Sequence, residues 1–419
     1  MNLPEGIDSA AFEEAMRQPP SVSLKLNRRK CSNPADLGYG QLQTVSWCPS
    51  GYYLDERPVF TLNPLLHAGV FYVQDASSMI YETIVSRLLE LHLIPESPVV
   101  LDLCAAPGGK TTSMINALPD SSFVVANEVM PKRVRILQEN LAKWGYPDVM
   151  VTNSQVSAFI SLGERFDLVA VDAPCSGEGM MRKDPDAVRQ WSPGLVAQCA
   201  SLQREILADA VRLIKPGGIM IYSTCTFNRT ENEENVAFLV EDLGLVPLDL
   251  KWLEEWGIGS QLDSPYPAMR FMPHITRGEG LFVAVVQKPV GADGGSQEIT
   301  KEKLAAIIRK KLRVIGNDEE KSDTAKPKHD RISKKEKVID RPDPLLPLRT
   351  DFVHDSFPTV SLSADEALAY LRHEALRLPD SAPKGYVVVT FQGHPLGFVK
   401  NLGNRANNLY PSQWKIRIK

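Results

Sequence analysis

The chain has 419 residues, which is too long for one ordinary domain, so we expect two or three domains. Its hydrophobic fraction of 43% and charged fraction of 23% are typical of a soluble globular protein. No basic and then apolar stretch opens the chain, and no apolar run approaches the roughly 18 residues of a membrane span, so we expect a cytoplasmic protein without membrane contact.

The N-terminal part begins with a helical pattern at 10–18 and a basic strand at 21–27, and it ends with a helix at 76–91. Beyond it, short β-rich runs alternate with helical periodicities. The predicted strands are 99–105, 123–128, 149–153, 166–173, 219–224 and 281–287, and the predicted helices are 111–118, 131–144, 195–214 and 229–240. Acidic residues between 231 and 234 suit the N-terminus of the last helix. The alternation predicts an α/β fold with a doubly wound, mostly parallel sheet, whose ligands bind beyond the carboxyl ends of the strands.

The composition changes after residue 288. Residues 289–344 are rich in Gly, Asp, Lys and Glu and, apart from a basic helical pattern at 301–312, predict a partly flexible linker. A small α+β module follows, with a helix at 364–376 and strands at 385–391 and 396–400. The predicted parts are therefore an N-terminal region (1–95), an α/β domain (96–288), the linker (289–344) and a C-terminal module (345–419).

A glycine turn lies between the first strand and the first helix of the alternation, at residues 101–110 (Leu-Asp-Leu-Cys-Ala-Ala-Pro-Gly-Gly-Lys). A phosphate-binding P-loop needs glycine where this chain has Cys104, and the Gly-x-Gly-x-x-Gly fingerprint is absent, which counts against a nucleotide hydrolase. The turn predicts close approach of a ligand to the backbone, although Gly-Gly also serves as an ordinary turn. Glu128 ends the next strand, where an acid can bind both ribose hydroxyls; a solvated carboxylate is the alternative.

The six cysteines form no Cys-x-x-Cys pair, so we expect neither a metal site nor a disulfide framework. Cys175, in Asp-Ala-Pro-Cys at 172–175, and Cys225, in Ser-Thr-Cys-Thr at 223–226, follow adjacent predicted strands. Both thiols and Asp172 should therefore face one cleft. A lone cysteine is usually a small buried hydrophobe, but two of them beside a carboxylate predict covalent chemistry next to a bound ligand.

Three segments together resemble a known family. Residues 102–110, 172–179 (Asp-Ala-Pro-Cys-Ser-Gly-Glu-Gly) and 223–226 resemble the RNA cytosine-5 methyltransferases of the Nol/Nop/Sun family. Residues 180–185 (Met-Met-Arg-Lys-Asp-Pro) and the downstream basic module are most similar to its bacterial ribosomal RNA branch. The resemblance implies a Rossmann-like class I methyltransferase domain that binds S-adenosyl-methionine, an N-terminal RNA-contacting region and a C-terminal PUA-like RNA-binding module.

The resemblance also implies roles for individual residues. Cys225 would be the nucleophile that adds to carbon 6 of cytosine, and Cys175 would serve product release. Asp172 would contact ring N3, with Lys110 in support. The cofactor-binding residues that the family pattern implies are Cys104, Ala105, Ala106, Pro107, Gly108, Gly109, Lys110, Glu128, Gln155 and Asp172.

Gln155 departs from the family pattern. The family often has an aspartate at this position, which accepts a hydrogen bond from the adenine amino group. A glutamine carbonyl can accept the same bond, so we expect a modest cost in cofactor affinity. Asn153 is the alternative if the alignment is shifted by two residues.

The expected partner is structured RNA, namely small-subunit (16S) ribosomal RNA or the assembled subunit, with transfer RNA as the alternative and no DNA. Basic residues at 25–30, 326–337 and 400–419 outweigh the net charge of −4, and those at 25–30 and 400–419 suit a phosphate backbone, with Tyr410 and Trp414 available for stacking. A non-catalytic ribosome-assembly factor is a rival hypothesis, against which the intact cysteine and aspartate set counts. We expect a monomer.

Overall fold

The computed structural model describes residues 3–249, 256, 258–260, 264–291, 299–316 and 341–418. The chain folds into two compact units. The first comprises Met1–Pro58, Phe71–Leu141 and Asp148–Val314, and the second comprises Val59–Val70, Ala142–Pro147 and Ile315–Lys419. The four parts expected from the sequence stay a prediction, and the basic residues at 326–337 lie outside the described residues. Within the described ranges, no helix is long and apolar enough to cross a membrane.

A four-stranded antiparallel sheet opens the first unit. The elements of this stretch are α1 (Ser9–Arg17), β1 (Val22–Leu26), β2 (Gln43–Val45), β3 (Cys48–Leu54), α2 (Pro64–His67), β4 (Phe71–Val73) and α3 (Ile80–Glu90), of which α2 belongs to the second unit. The strands lie in the order β2-β3-β1-β4. Asp8 starts α1 by accepting a hydrogen bond from the backbone N–H of Ala11 at 3.0 Å, as an N-cap residue does.

A larger mixed sheet with its helices follows. Its elements are β5 (Val99–Asp102), α4 (Gly109–Ala117), β6 (Phe123–Asn127), α5 (Pro131–Trp144), β7 (Val149–Thr152), α6 (Val156–Phe159), β8 (Phe166–Asp172), α7 (Pro185–Gln190), α8 (Pro193–Val211), β9 (Ile214–Thr224), α9 (Glu233–Ala237), β10 (Val246–Pro247), β11 (Gly259–Ser260), β12 (Met269–Phe271), β13 (Leu281–Gln287), α10 (Lys301–Lys311) and β14 (Val314–Ile315). The central strands run β7-β6-β5-β8-β9-β13, and all are parallel except β13. The predicted doubly wound, mostly parallel sheet is confirmed.

The middle residues of the central strands are mostly apolar because helices cover both faces of a parallel sheet. One core cluster contains a fully buried side chain from each of the central strands β5, β6, β8, β9 and β13, namely Leu101, Val125, Val169, Met220 and Ala284. The connections turn in opposite directions from β5 and β8. The carboxyl ends of these neighbouring strands therefore frame the crevice in which such sheets bind ligands.

The helix expected at 229–240 begins later than predicted. Helix α9 starts at Glu233, and a π-helical turn follows it at Phe238–Asp242. The side chains of Asn228, Glu231 and Asn232 point inward, where they bond neighbouring loops instead of opening a helix. These hydrogen bonds hold the segment in a loop conformation, although its sequence has helical periodicity.

The basic helix expected at 301–312 is present as α10, and it packs onto the large sheet. Leu304, Ala305 and Ile308 are buried in the same core cluster as the central strands. Their spacing places all three on one face of the helix. The early part of the predicted linker thus contributes a helix to the core of the first unit.

Two basic side chains of β1 and the following turn, Lys25 and Arg29, do not belong to the RNA-contacting face that we expected. Lys25 is fully buried, and its Nζ donates to the Gly109 carbonyl at 3.1 Å, to Thr112 Oγ1 at 3.0 Å and to Ser113 Oγ at 2.6 Å. Burial lowers the pKa of Lys25 to about 7. Arg29 donates to carbonyl groups at the C-terminal end of α4. The expectation was wrong for these two side chains because both support α4 from inside the unit.

The second unit contains a small sheet in the order β15-β16-β17-β18. Its elements are β15 (Thr359–Ser361), α11 (Ala364–Leu371), β16 (Gly385–Phe391), β17 (His394–Asn401) and β18 (Ala406–Asn408). Helix α11 ends before the predicted residue 376 because the chain leaves it through His373 in the left-handed conformation, at φ 63°. Tyr410 is buried against the ring of Tyr370, with centroids 5.4 Å apart, so its expected stacking on RNA was wrong. Trp414 is half-buried.

Candidate active site

Two neighbouring parallel strands bring the predicted catalytic side chains together. Asp172 is the last residue of β8, and it pairs in register with Ser223 on β9, two residues before Cys225. Cys175 follows β8 after Ala173 and Pro174. The Sγ atoms of Cys175 and Cys225 lie 3.3 Å apart, so the two thiols are in direct contact. Asp172, Cys175 and Cys225, which the sequence predicted to face one cleft, lie together at the carboxyl edge of the sheet.

Asp172 has a hydrogen-bonding partner on each of its two carboxylate oxygens. Its Oδ2 accepts from Lys110 Nζ at 2.8 Å, and its Oδ1 accepts from Ser223 Oγ at 2.7 Å. The hydroxyl of Tyr81, on α3, donates to Ser223 Oγ at 2.9 Å. Burial opposes the charged form of Lys110, but the Asp172 carboxylate outweighs that effect and raises the pKa of Lys110. The ion pair and the relay of hydroxyl groups fix the orientation of the carboxylate.

The two thiols differ in acidity. The hydrogen bond from the Cys175 thiol lowers the pKa of Cys225, whereas that bond, together with burial, raises the pKa of Cys175. The surrounding charges act in the same sense, because the Lys110 ammonium favours a Cys225 thiolate and the Glu231 carboxylate disfavours a Cys175 thiolate. The Asp172 carboxylate opposes ionisation of both. These surroundings favour a thiolate at Cys225 over one at Cys175.

The glycine turn between β5 and α4 is shaped by Gly108 and held by Asp102. Gly108 has φ 112°, a left-handed conformation that glycine adopts without strain. Thr111 Oγ1 donates to Asp102 Oδ2 at 2.7 Å, and burial raises the pKa of Asp102 to about 7. Cys104 lies at the start of the turn, and burial raises the pKa of its thiol. Cys104 is thus a neutral thiol here, in keeping with a contribution through its backbone.

Glu128 follows β6 and is almost completely buried. Its Oε1 accepts from the backbone N–H of Met130 at 2.8 Å, and its Oε2 lies 3.2 Å from Arg133 Nη1. Arg133 also donates to the Ala106 carbonyl at 2.7 Å. Glu128 is therefore an oriented carboxylate tied to the glycine turn, rather than the solvated strand-end group that was the alternative.

Gln155 and Asn153 follow β7 in different environments. Gln155 is exposed and immediately precedes α6. The side-chain amide of Asn153 donates to the Glu128 carbonyl at 2.7 Å and to the Val129 carbonyl at 2.9 Å. The amide nitrogen of Asn153 is thus used to bind the backbone after β6, whereas Gln155 keeps an accessible side chain.

Three polar residues of the site were not predicted from the sequence. Ser223 had a signal, because it stands two residues before Cys225 and side chains alternate along a strand. Asp102 also had one, as an acid at a strand end just before the glycine turn. Tyr81 had none, since its contact with Ser223 joins residues 142 positions apart in the chain. In the described part of the chain, no group of His, Cys, Asp or Glu residues could hold a metal ion.

Three family profiles match successive parts of the chain. They are described as the N-terminal domain of 16S rRNA methyltransferase RsmF (residues 2–76), 16S rRNA methyltransferase RsmB/F (residues 89–287) and methyltransferase RsmF PUA domain (residues 357–416). Ribosomal RNA small subunit methyltransferase F of Cronobacter sakazakii is 31% identical over 98% of this chain and 93% of its own length. The chain belongs to the ribosomal RNA small subunit methyltransferase F family. It is a methyltransferase, and the resemblance found in its sequence is confirmed.

Two solved structures have folds similar to that of this chain. A methyltransferase homologue from Pyrococcus horikoshii is 27% identical over 68% of this chain and 92% of its own, with a TM-score of 0.56. NSun6 from Pyrococcus horikoshii, solved with SFG, is 21% identical over 67% of this chain and 94% of its own, also with a TM-score of 0.56. With the family profiles, these likenesses confirm the predicted class I methyltransferase fold with an N-terminal domain and a C-terminal PUA domain.

Proposed function

We propose that this methyltransferase modifies carbon 5 of a cytosine in 16S ribosomal RNA through a covalent bond between Cys225 and the base. The observation that carries the proposal is the contact of the Cys175 and Cys225 thiols, 3.3 Å apart, beside the Asp172–Lys110 ion pair. A cytosine lying against this group meets a nucleophile, a hydrogen-bonding partner for N3 and a base for product release. The proposed substrate would make the protein a cytoplasmic enzyme.

S-adenosyl-methionine is the proposed cofactor, and SFG, with which NSun6 was solved, is an analogue of it. The residues of the crevice fit such a molecule, because Gly108 allows the tight left-handed turn after β5 and Glu128 is an oriented carboxylate. Residues 104–110 and Asp172 would contact the methionine part, Glu128 the ribose and Gln155 the adenine. When bound there, S-adenosyl-methionine supplies the electrophilic methyl group.

The first step belongs to Cys225. Carbon 5 of cytosine is too electron-poor to attack a methyl sulfonium unaided. When the Cys225 thiolate forms a bond to carbon 6, the displaced electron pair makes carbon 5 a nucleophile resembling an enamine. The contact with Cys175 and the nearby Lys110 ammonium favour the thiolate that this step needs.

Asp172 and Lys110 act where charge develops during that addition. Electron density moves toward ring N3, which then needs a proton or a strong hydrogen-bond donor. Asp172 would pass to N3 the proton that Cys225 loses when it forms the thiolate, while Lys110, 2.8 Å away, balances the charge of the carboxylate. Ser223 Oγ donates to the other carboxylate oxygen, which keeps Asp172 in one orientation throughout.

Cys175 would complete the reaction. After methyl transfer, carbon 5 bears both the new methyl group and its original proton. Cys175 first loses its own thiol proton to the Asp172 carboxylate and then, as a base acting directly or through water, takes the carbon-5 proton. The electron pair of the C–H bond restores the double bond between carbons 5 and 6, and the pair of the S–C6 bond returns to Cys225. The thiol contact places this base beside the bond that must break.

The proposed chemistry predicts one modified nucleoside. Incubation with S-adenosyl-methionine and 16S ribosomal RNA, free or in the assembled subunit, should yield 5-methylcytidine on digestion and mass spectrometry of the nucleosides. Transfer RNA, incubated in parallel, should remain unmodified. A methyl group on any other nucleoside, or 5-methylcytidine only in the transfer RNA, would contradict the proposal.

We further propose that the second unit binds the RNA substrate. The PUA-domain match covers residues 357–416 of this unit. Lys400, Arg405, Lys415 and Arg417 have exposed side chains, and the segment 400–418 contains no acid. Lys419 completes the basic group in the sequence and lies outside the described residues. Exposed cations of this kind bind phosphates and release counterions.

Reversing two of these charges should weaken RNA binding without affecting the cofactor. For Lys415→Glu with Arg417→Glu, we expect weaker RNA binding and a slope of log K against log salt that falls by about one for each lost phosphate contact. The affinity for S-adenosyl-methionine should not change. Arg349→Glu is the matched control, because Asp351 already neutralises Arg349 at 2.6 Å. Filter binding at several salt concentrations measures the slope, and unchanged RNA affinity in the double variant would rule out this contact.

A further inference from the structure

The loop that carries Cys175 contains a buried carboxylate that accepts hydrogen bonds from the loop that carries Cys225. Glu178 has no exposed surface. Its Oε2 accepts from the backbone N–H groups of Phe227 at 2.7 Å and Asn228 at 3.0 Å, and from Thr226 Oγ1 at 2.7 Å. Its Oε1 accepts from Trp191 Nε1 at 3.0 Å. Glu178, three residues after Cys175, thus fixes the three residues that follow Cys225.

A second buried carboxylate makes the reciprocal contact. Glu231 lies on the segment after Cys225 and also has no exposed surface. Its Oε2 accepts from the backbone N–H of Ser176 at 2.9 Å and from Gln203 Nε2 at 2.8 Å, and its Oε1 accepts from Asn228 Nδ2 at 2.8 Å. The N–H that Glu231 binds belongs to the residue directly after Cys175. Each cysteine loop therefore supplies a carboxylate that binds the backbone of the other.

Two further hydrogen bonds join the same loops. Ser176 Oγ and Thr226 Oγ1, on the residues directly after the two cysteines, lie 2.9 Å apart. The backbone N–H of Gly179 donates to the Cys225 carbonyl at 2.8 Å, and a side chain at Gly179 would meet that carbonyl. We name these bonds, with Glu178 and Glu231, the carboxylate clamp. It surrounds both cysteines on their C-terminal sides.

Only carboxylates suit these two positions. All the hydrogen-bonding partners of Glu178 and Glu231 described above are donors, so an amide would turn its own N–H₂ toward a donor. Burying two carboxylates is expensive unless every acceptor is used, and an apolar contact would join two loops at less cost. The two carboxylates therefore do more than hold the loops together: they fix the geometry of the loops and place negative charge beside them.

We propose that Glu178 and Glu231 are positioning residues that hold the Cys175 and Cys225 thiols in contact and assign them unequal roles. The inference rests on the proposed function, in which one thiol attacks and the other serves release. The clamp keeps the sulfur atoms close enough for the Cys175 thiol to donate to a Cys225 thiolate. Its Glu231 charge faces Cys175 and keeps that thiol protonated until release.

Glu231 and Glu178 affect the two thiols in different ways, because different groups face each thiol. Lys110 from α4 and Asp172 from β8 act on Cys225, and Glu231 and Asp172 act on Cys175. Neutralising Glu231 removes a negative charge near Cys175 and should make that thiol more acidic. Loss of the Glu178 contacts loosens the loop after Cys225 and should make that thiol less acidic, because it weakens the bond from Cys175. Either change brings the acidities of the two thiols together.

Trace alkylation with iodoacetamide across a range of pH tests the clamp. The tryptic peptides of Cys175 and Cys225 give a separate pH midpoint for each thiol, and changed accessibility alters the plateau rate rather than the midpoint. In Glu178→Gln and in Glu231→Gln, we expect the separation between the midpoints to shrink by about one pH unit, a tenfold change in relative thiolate fraction. Glu231→Asp, which keeps the charge, should restore part of it.

The controls separate positioning from stability. Glu82→Gln replaces another buried carboxylate, which binds Ser50 and Asn116 away from the cysteine loops, and it should lower the melting temperature while leaving the midpoints unchanged. Thr226→Val removes one hydroxyl of the clamp and no charge. It should shift the midpoints in the same direction as the Gln variants, but by less. This variant provides the test if the Gln variants do not fold. Unchanged midpoint separation in folded clamp variants would overturn the inference. Because the measurement needs neither RNA nor cofactor, that result would leave the proposed covalent reaction untouched.

Discussion

Replacing Cys175 by alanine is expected to trap the enzyme on its RNA, so that a protein–RNA band persists on a denaturing gel. In this variant Cys225 can still add to carbon 6 and methylation can proceed, but the base that lies 3.3 Å from the attacking sulfur is lost. The adduct then decays slowly. Cys225→Ala should give no band and should lower the methylation rate on the order of 10³-fold or more, since the covalent route is removed.

The same gel distinguishes the alternatives. Cys199→Ala is the control, because Cys199 is a buried thiol within α8, and its loss should change neither the band nor the rate. A band from Cys225→Ala and none from Cys175→Ala would exchange the two roles. If neither variant gave a band while the wild type still formed 5-methylcytidine, the covalent step itself would be wrong.

The cysteine pair could be predicted from the sequence because it depends on topology alone. Parallel strands that are neighbours in a doubly wound sheet end at the same edge, so residues just after β8 and β9 must lie near each other. The same rule placed Asp172 beside them and Glu128 at the end of β6. The positions of such residues can be predicted once the strand boundaries are known, and β-rich runs between glycine turns indicate those boundaries.

The residues that orient this set could not be predicted in the same way. Glu231 was interpreted as a charge at a helix N-terminus, and Lys25 as an RNA contact, because a sequence pattern assigns charged side chains to the surface. Both are buried, Glu231 under the Cys175 loop and Lys25 under α4. Their partners lie 55 and 88 positions away in the chain, and local periodicity carries no information on contacts of that range.

Asp172→Asn is expected to lower the rate of methyl transfer by about 10²–10⁴-fold, which corresponds to about 3–5 kcal/mol of transition-state stabilisation. An asparagine keeps the shape and can still accept from Ser223, which donates to Oδ1 at 2.7 Å. It cannot hold the proton that N3 requires, and it leaves the Lys110 ammonium without the carboxylate that lies 2.8 Å away. Single-turnover measurements with saturating RNA and cofactor give the rate of the chemical step.

Asp167→Asn offers a matched control on the same strand. Asp167 lies near the opposite end of β8 and pairs with Lys215 at 2.8 Å, the same distance as in the Asp172–Lys110 pair. Its replacement should cost stability and leave the single-turnover rate near that of the wild type. Ser223→Ala should give an intermediate loss, because the Asp172 carboxylate keeps its charge and loses one orienting bond. If Asp172→Asn weakened only the binding of the cofactor and left the single-turnover rate unchanged, Asp172 would be a cofactor-binding residue with no part in the reaction at N3.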